Sequence, residues 1–97
     1  MEIKLNALKF DADEKLAAFV EKKVTRLEKF FEGVAQEAEV SLEDLGKTGK
    51  KARIQINIPG DDMIIDRVAD TFENAITECV DAMKEKLTRA KEKKFGI

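Results

Sequence analysis

The sequence has no histidine, tryptophan or tyrosine, a single cysteine and a single proline. Without histidine there is no Ser-His or Cys-His pair for nucleophilic catalysis and no usual zinc site. One cysteine cannot build a disulfide framework, and a lone reduced thiol points to the cytoplasm. No apolar run approaches the roughly 18 residues of a membrane span, and no signal-peptide pattern is present. Gly46 and Gly49 lack the spacing and the following helix of a phosphate loop. Carboxylate pairs such as Asp61–Asp62 are ordinary on an acidic surface. These absences argue against an enzyme: no catalytic residue, metal ligand, cofactor, small-molecule substrate or membrane partner is expected.

What the chain has in quantity is charge. It is 97 residues long, 39% charged and 43% hydrophobic, which suits one domain over 1–97 with an ionic surface. The net charge is −2, so it is not a globally basic nucleic-acid binder. The charges are unevenly spread. Glu32 to Asp44 holds five acids and no base, Lys47 to Arg53 four bases and no acid, and Asp61 to Asp81 seven acids and one base. Such lumps make local fields that the net charge hides.

Hydrophobic periodicity divides the chain into six elements. Met1 to Leu8 alternates, with Ile3, Leu5 and Ala7 on one side, and reads as a half-buried strand. Asp11 or Asp13 can cap a helix over Glu14 to Phe31, whose buried stripe is Leu16, Phe19, Val20, Val24, Leu27 and Phe31. Gly33 is a suitable stop. Val34 to Glu43 alternates again, with Ala38, Val40 and Leu42 inward. A glycine-bearing hairpin loop leads to Lys51–Ile58, whose inward residues are Ala52, Ile54, Ile56 and Ile58. Pro59-Gly60-Asp61 is a turn, and Asp62 to Val68, apolar at Met63, Ile64 and Ile65, is a fourth strand. Asp70 or Thr71 then caps a long helix to Lys94, with Phe72, Ile76, Cys79, Val80, Met83 and Leu87 on one stripe. The expected fold class is α+β in the order β-α-β-β-β-α. Two helices would pack on one face of a four-stranded, mostly antiparallel sheet, leaving the other face polar.

The last helix changes character along its length. Its charges are acidic from Asp70 to Asp81, whereas Lys84 to Lys94 carries six bases against two acids. Dipole matching explains part of this polarity, and lysine–glutamate pairs on a helix face often do no more than solubilise it. Six cations in that short a stretch exceed what the dipole requires. The first helix carries Lys15, Lys22, Lys23, Arg26 and Lys29 off its apolar stripe. Two cationic helix faces side by side would form a groove for phosphates. With no aromatic residue clearly exposed beside them, recognition by shape and backbone charge fits better than stacking on single strands.

The chain resembles the short ribosome hibernation-promoting factor family, which includes ribosome-associated inhibitor A and was formerly called the sigma-factor modulation family. The resemblance spans nearly the whole chain. It rests on the alternating first strand, on L-x-x-F-V-x-x-K-x-x-x-L-E-x-F-F over Leu16 to Phe31, and on D-x-F-x-x-A-I at Asp70, Phe72, Ala75 and Ile76. That last motif opens a helix whose end carries the spaced residues Leu87, Arg89, Lys91 and Lys93. The resemblance implies a partner, the small ribosomal subunit and its rRNA, bound in the channel between head and body. It also implies overlap with messenger and transfer RNA, arrest of translation, and protection of idle ribosomes in stationary phase or starvation. By position, the implied RNA-binding residues are Lys23, Arg26, Arg89, Lys91 and Lys93. Lys22, Lys29, Lys86 and Lys94 join them on charge and helical phase alone. With Ile97 as its last residue, the sequence is expected to lack the extra domain by which long members pair ribosomes. Two modes stay open: silencing single ribosomes, or promoting dimers with a separate ribosome-dimerising factor. Outside the resemblance, the rival readings are a protein-interaction module using the polar sheet face or an edge strand, and a general binder of double-stranded RNA.

Overall fold

Alternation of apolar and polar residues builds the sheet, and its apolar side dictates where the helices lie. The structure, a computed structural model, describes residues 2–30, 37–58 and 61–94, without the side chains of Phe30, Ile58, Asp61, Leu87 and 90–94. The elements follow the order β1 (Glu2–Leu8), α1 (Glu14–Thr25), β2 (Glu37–Asp44), β3 (Lys50–Ile58), β4 (Asp61–Ala69) and α2 (Phe72–Lys94). The sheet runs β1-β2-β3-β4. β1 pairs with β2 in parallel, and the other pairs are antiparallel. The parallel pair is the one joined through a helix, because a parallel connection must carry the chain back along the sheet.

Ala38, Val40 and Leu42 of β2 and Ala52, Ile54 and Ile56 of β3 are fully buried beneath the helices. Each large aliphatic side chain there contributes about 2 kcal/mol by leaving water. In β4 the alternation decides between neighbours: Met63 is buried and Ile65 partly so, while Ile64 points to the other face. From α2, Ala75, Ile76, Cys79, Val80 and Met83 close the core; from α1 and the turn after it, Leu16, Val20, Val24 and Leu27 do so. Phe19 and Phe72 are only partly buried at its margin.

The caps are resolved to single residues. The Leu16 backbone N–H donates to Asp13 Oδ1 at 2.8 Å, and that of Asn74 to Thr71 Oγ1 at 3.1 Å. Asp70 instead accepts from the Asn74 amide at 2.8 Å, which holds its carboxyl below the ordinary carboxylate range. In the β2–β3 connection, Lys50 and the Gly46 N–H both reach Asp44 Oδ1, at 2.7 and 2.9 Å, and lower its pKa likewise. Gly49 adopts φ 130°, and a Cβ there would lie 2.7 Å from the Ala69 carbonyl oxygen. A glycine is required by both its backbone and its neighbour.

β3 and β4 each begin one residue before the sequence pattern sets them and β4 also runs one residue further, but the large difference is at the end of the first helix. The first helix ends at Thr25, not Phe31, and a 3₁₀ turn follows at Glu28–Phe30. The β-branched pair Val24–Thr25 weakens helical propagation. The backbone then tightens to i→i+3 bonds, Arg26 N–H to Lys23 O at 3.3 Å and Leu27 N–H to Val24 O at 2.9 Å. The tightening places Leu27 in the core with no exposure. Phe31, Gly33, the Val34 start of the second expected strand and the Pro59-Gly60 turn lie outside the described residues.

Candidate nucleic-acid interface

Topology brings the two cationic helix ends together. Because β1 is parallel to β2, and β2, β3 and β4 alternate in direction, β1 and β4 run the same way. Each is followed by a short turn into a helix that packs back along the sheet. Both helices therefore start at one end of the sheet and finish at the other. An aromatic contact marks the shared start: Phe10, in the turn before α1, stacks on Phe72, the first residue of α2, with centroids 4.4 Å apart and planes 16° apart. Lys50 Nζ lies 5.6 Å from the Phe72 ring centroid, beside the same stack.

The far end collects cations on the helix side. On α1, Lys22 is exposed in the last turn, Arg26 is exposed at the C-cap, and Lys29 is exposed in the 3₁₀ turn. Lys23 is half-buried, with its Nζ 5.6 Å from the centroid of Phe19 one turn earlier. That cation–π contact fixes the ammonium against the helix surface. On α2, Met83 is the last described side chain that is buried. Beyond it Lys84 is half-buried, and Lys86 and Arg89 are exposed. Lys91, Lys93 and Lys94 lie on the last turns of α2 by backbone position; their side chains fall outside the described residues.

Two contacts at this end do not appear in the charge pattern alone. Arg89 Nη2 donates to Glu85 Oε1 at 2.7 Å across one helical turn, and Lys23 is anchored on Phe19. The signal for each was an i,i+4 spacing, which in sequence looks like any other such pair. The Arg89–Glu85 pair is well exposed, 77% and 65%, so it contributes little stability.

Residues 3–94 match the sigma 54 modulation protein / S30EA ribosomal protein family. The chain belongs to that family. Among solved structures, it is similar to the N-terminal domain of Protein Y from Thermus thermophilus, with 25% identity and a TM-score of 0.79 over 92% of this chain and 98% of that one. It also shares its fold with a ribosomal subunit interface protein from Coxiella burnetii, at 16% identity and a TM-score of 0.81 over 94% and 98% of the two chains. No curated protein matches. Family membership associates the chain with the ribosome and accounts for the whole β-α-β-β-β-α unit.

The core of this family member holds one potentially reactive group. Cys79 is fully buried, and its thiol donates to the Ala52 carbonyl at 3.2 Å. Burial pushes its pKa up to about 12, so it stays a neutral thiol and behaves as a small apolar residue. Among the described residues no cluster of His, Cys, Asp or Glu could hold a metal ion, and no helix is long and apolar enough to cross a membrane.

Proposed function

We propose that this protein is a cytoplasmic translation inhibitor, not an enzyme. It occupies the decoding channel of the small ribosomal subunit, excludes messenger and transfer RNA, and preserves idle ribosomes in stationary phase or starvation. The observation that carries this reading is the convergence of the α1 and α2 cationic ends on one side of one end of the sheet, in a chain of a ribosome-associated family. In this reading Lys22, Lys23, Arg26 and Lys29 supply one wall, and Lys86 and Arg89, with Lys91, Lys93 and Lys94 by their backbone positions on α2, supply the other. Spaced cations on two rigid rods match the backbone phosphates of folded RNA, which is read by shape rather than by base edges. The weak Glu85 contact lets Arg89 exchange a carboxylate for a phosphate at small cost.

Co-sedimentation with purified small subunits tests the proposal. Neutralising about six phosphates implies roughly a thousandfold loss of affinity between about 50 and 200 mM salt, because bound counterions are released. The double variant Lys86→Glu/Arg89→Glu is expected to stay in the supernatant at low salt while its circular-dichroism spectrum is unchanged, since both side chains are exposed. Failure of the wild-type protein to co-sediment at low salt would refute the proposal.

A further inference from the structure

The helices cover one face of the sheet and leave β4 with an open edge. Among the described residues β4 hydrogen-bonds to β3 alone, and the backbone along its other side has no strand partner there. Its side chains facing away from the helices are Asp62, Ile64, Asp66 and Val68, all exposed. The exposed large hydrophobics among the described residues are Leu8, Ile64 and Val68, and all lie on this outer face. An edge strand with exposed isoleucine and valine invites pairing, and proteins that keep such edges solvated place charge or proline there instead. Here the charge alternates with the aliphatic side chains.

We propose that β4 accepts an added strand from a protein partner that presents basic and aliphatic side chains in turn at every second residue, on the outer face of the sheet. Strand addition takes its affinity from main-chain hydrogen bonds and its selectivity from the side chains that fall opposite one another. Asp62 and Asp66 call for cations opposite them, and Ile64 and Val68 for aliphatic groups. Among the described residues neither aspartate makes a side-chain ion pair, although Arg53 is cross-strand from Asp66. Arg67 Nη1 donates to the Asp66 carbonyl at 2.7 Å, a side-chain donor of the kind that an added strand supplies from its backbone.

A second copy of β4 does not meet this demand. Antiparallel self-pairing centred on Ile64 opposes Asp62 to Asp66, and centred on Asp66 it opposes that residue to itself. Centred on Ile65, it sets both aspartates against aliphatic side chains. The other edge, β1, presents Glu2, Lys4, Asn6 and Leu8, and its Lys4 is already paired with Glu37 at 3.4 Å. The alternating acid–aliphatic pattern belongs to β4. It faces away from the helix surface, so both surfaces can be occupied at once.

The test uses the whole protein and a short acetylated, amidated peptide of the pattern Lys-Thr-Val-Thr-Lys-Thr-Val, which places lysine and valine alternately on one face of the added strand. The expected result is saturable binding, with backbone amide shifts and slowed hydrogen exchange confined to β4 and its neighbour β3. Asp62→Lys/Asp66→Lys is expected to weaken binding by about tenfold, from two reversed cross-strand pairs. The milder Asp62→Asn/Asp66→Asn guards against misfolding and should give an intermediate loss. The same peptide with glutamate in place of each lysine should not bind. The proposal is overturned if that peptide binds equally or if alternate backbone N-methylation of the lysine peptide leaves affinity unchanged. Shifts that map to the helices or to β1, or no binding at millimolar peptide, overturn it equally.

Discussion

Cys79 shows how the environment fixes the chemistry of a residue. Its sulfur sits between α2 and the β3 backbone. Loss of solvation raises its pKa first; Asp66 and Glu78 add to this, and Arg67 opposes it. Its folded-state pKa of about 12 lies above the ordinary 9.0. The neutral thiol therefore favours the folded state fully below pH 9, and this contribution is lost as pH rises toward 12. The exposed carboxylates Asp44 and Asp70 work in the opposite direction. Their lowered pKa values favour the folded state above the ordinary 3.8, and that support fades as pH falls below it. For Cys79 the expected outcome is that a disulfide-exchange reagent at pH 8 labels the folded protein only as fast as the core opens. Immediate labelling in native buffer would show that the thiol is accessible.

At the scale of elements, helix starts are more legible than helix ends. A start is written in one or two side chains: aspartate or threonine followed by an apolar stripe left two candidates at each helix, and geometry chose Asp13 and Thr71. Asp13→Ala is expected to cost about 1 kcal/mol of stability, measured by urea denaturation with an unchanged slope. The end of α1 was not legible, because the apolar spacing at Leu27 satisfies both an α-helix and the tighter 3₁₀ turn that replaces it. Only packing against α2 and the sheet selects between them. The first three strands were legible from alternation alone, and the fourth from its apolar run at Met63–Ile65. Ile64 illustrates the limit of composition: it lies between Met63 and Ile65 in an apolar run, yet alternation turns it outward.

At the scale of the whole molecule, sequence order and sheet order coincide, but which pair is parallel depends on contacts between distant residues. The candidate RNA surface was legible as charge on two separate helices. That both charged ends finish on the same side depends on the parallel β1–β2 pair and on the Phe10–Phe72 stack. The acidic outer residues of the sheet lie on the opposite side, so the molecule carries a transverse charge separation that a net charge of −2 conceals. Near a phosphate-rich surface this orients the helices inward before contact, raising the rate of productive encounter.

The position of β1 has a further consequence, for the order of folding. β2, β3 and β4 form a meander closed by short turns, whereas Leu8 reaches its neighbour Glu43 only after the chain has laid down α1. β1 is also an edge, and a cavity of about 250 Å³, lined by Ile3, Leu5, Ala17, Val20, Glu21 and Thr25, separates it from α1. Its docking combines the longest loop closure with the thinnest packing, so it joins the sheet last and leaves it first. Hydrogen-exchange mass spectrometry should find peptides from 2–8 exchanging ahead of those from 38–44 and 52–57. If they exchanged together, the sheet would open as a single cooperative unit, and the first strand would be no more detachable than the meander it borders.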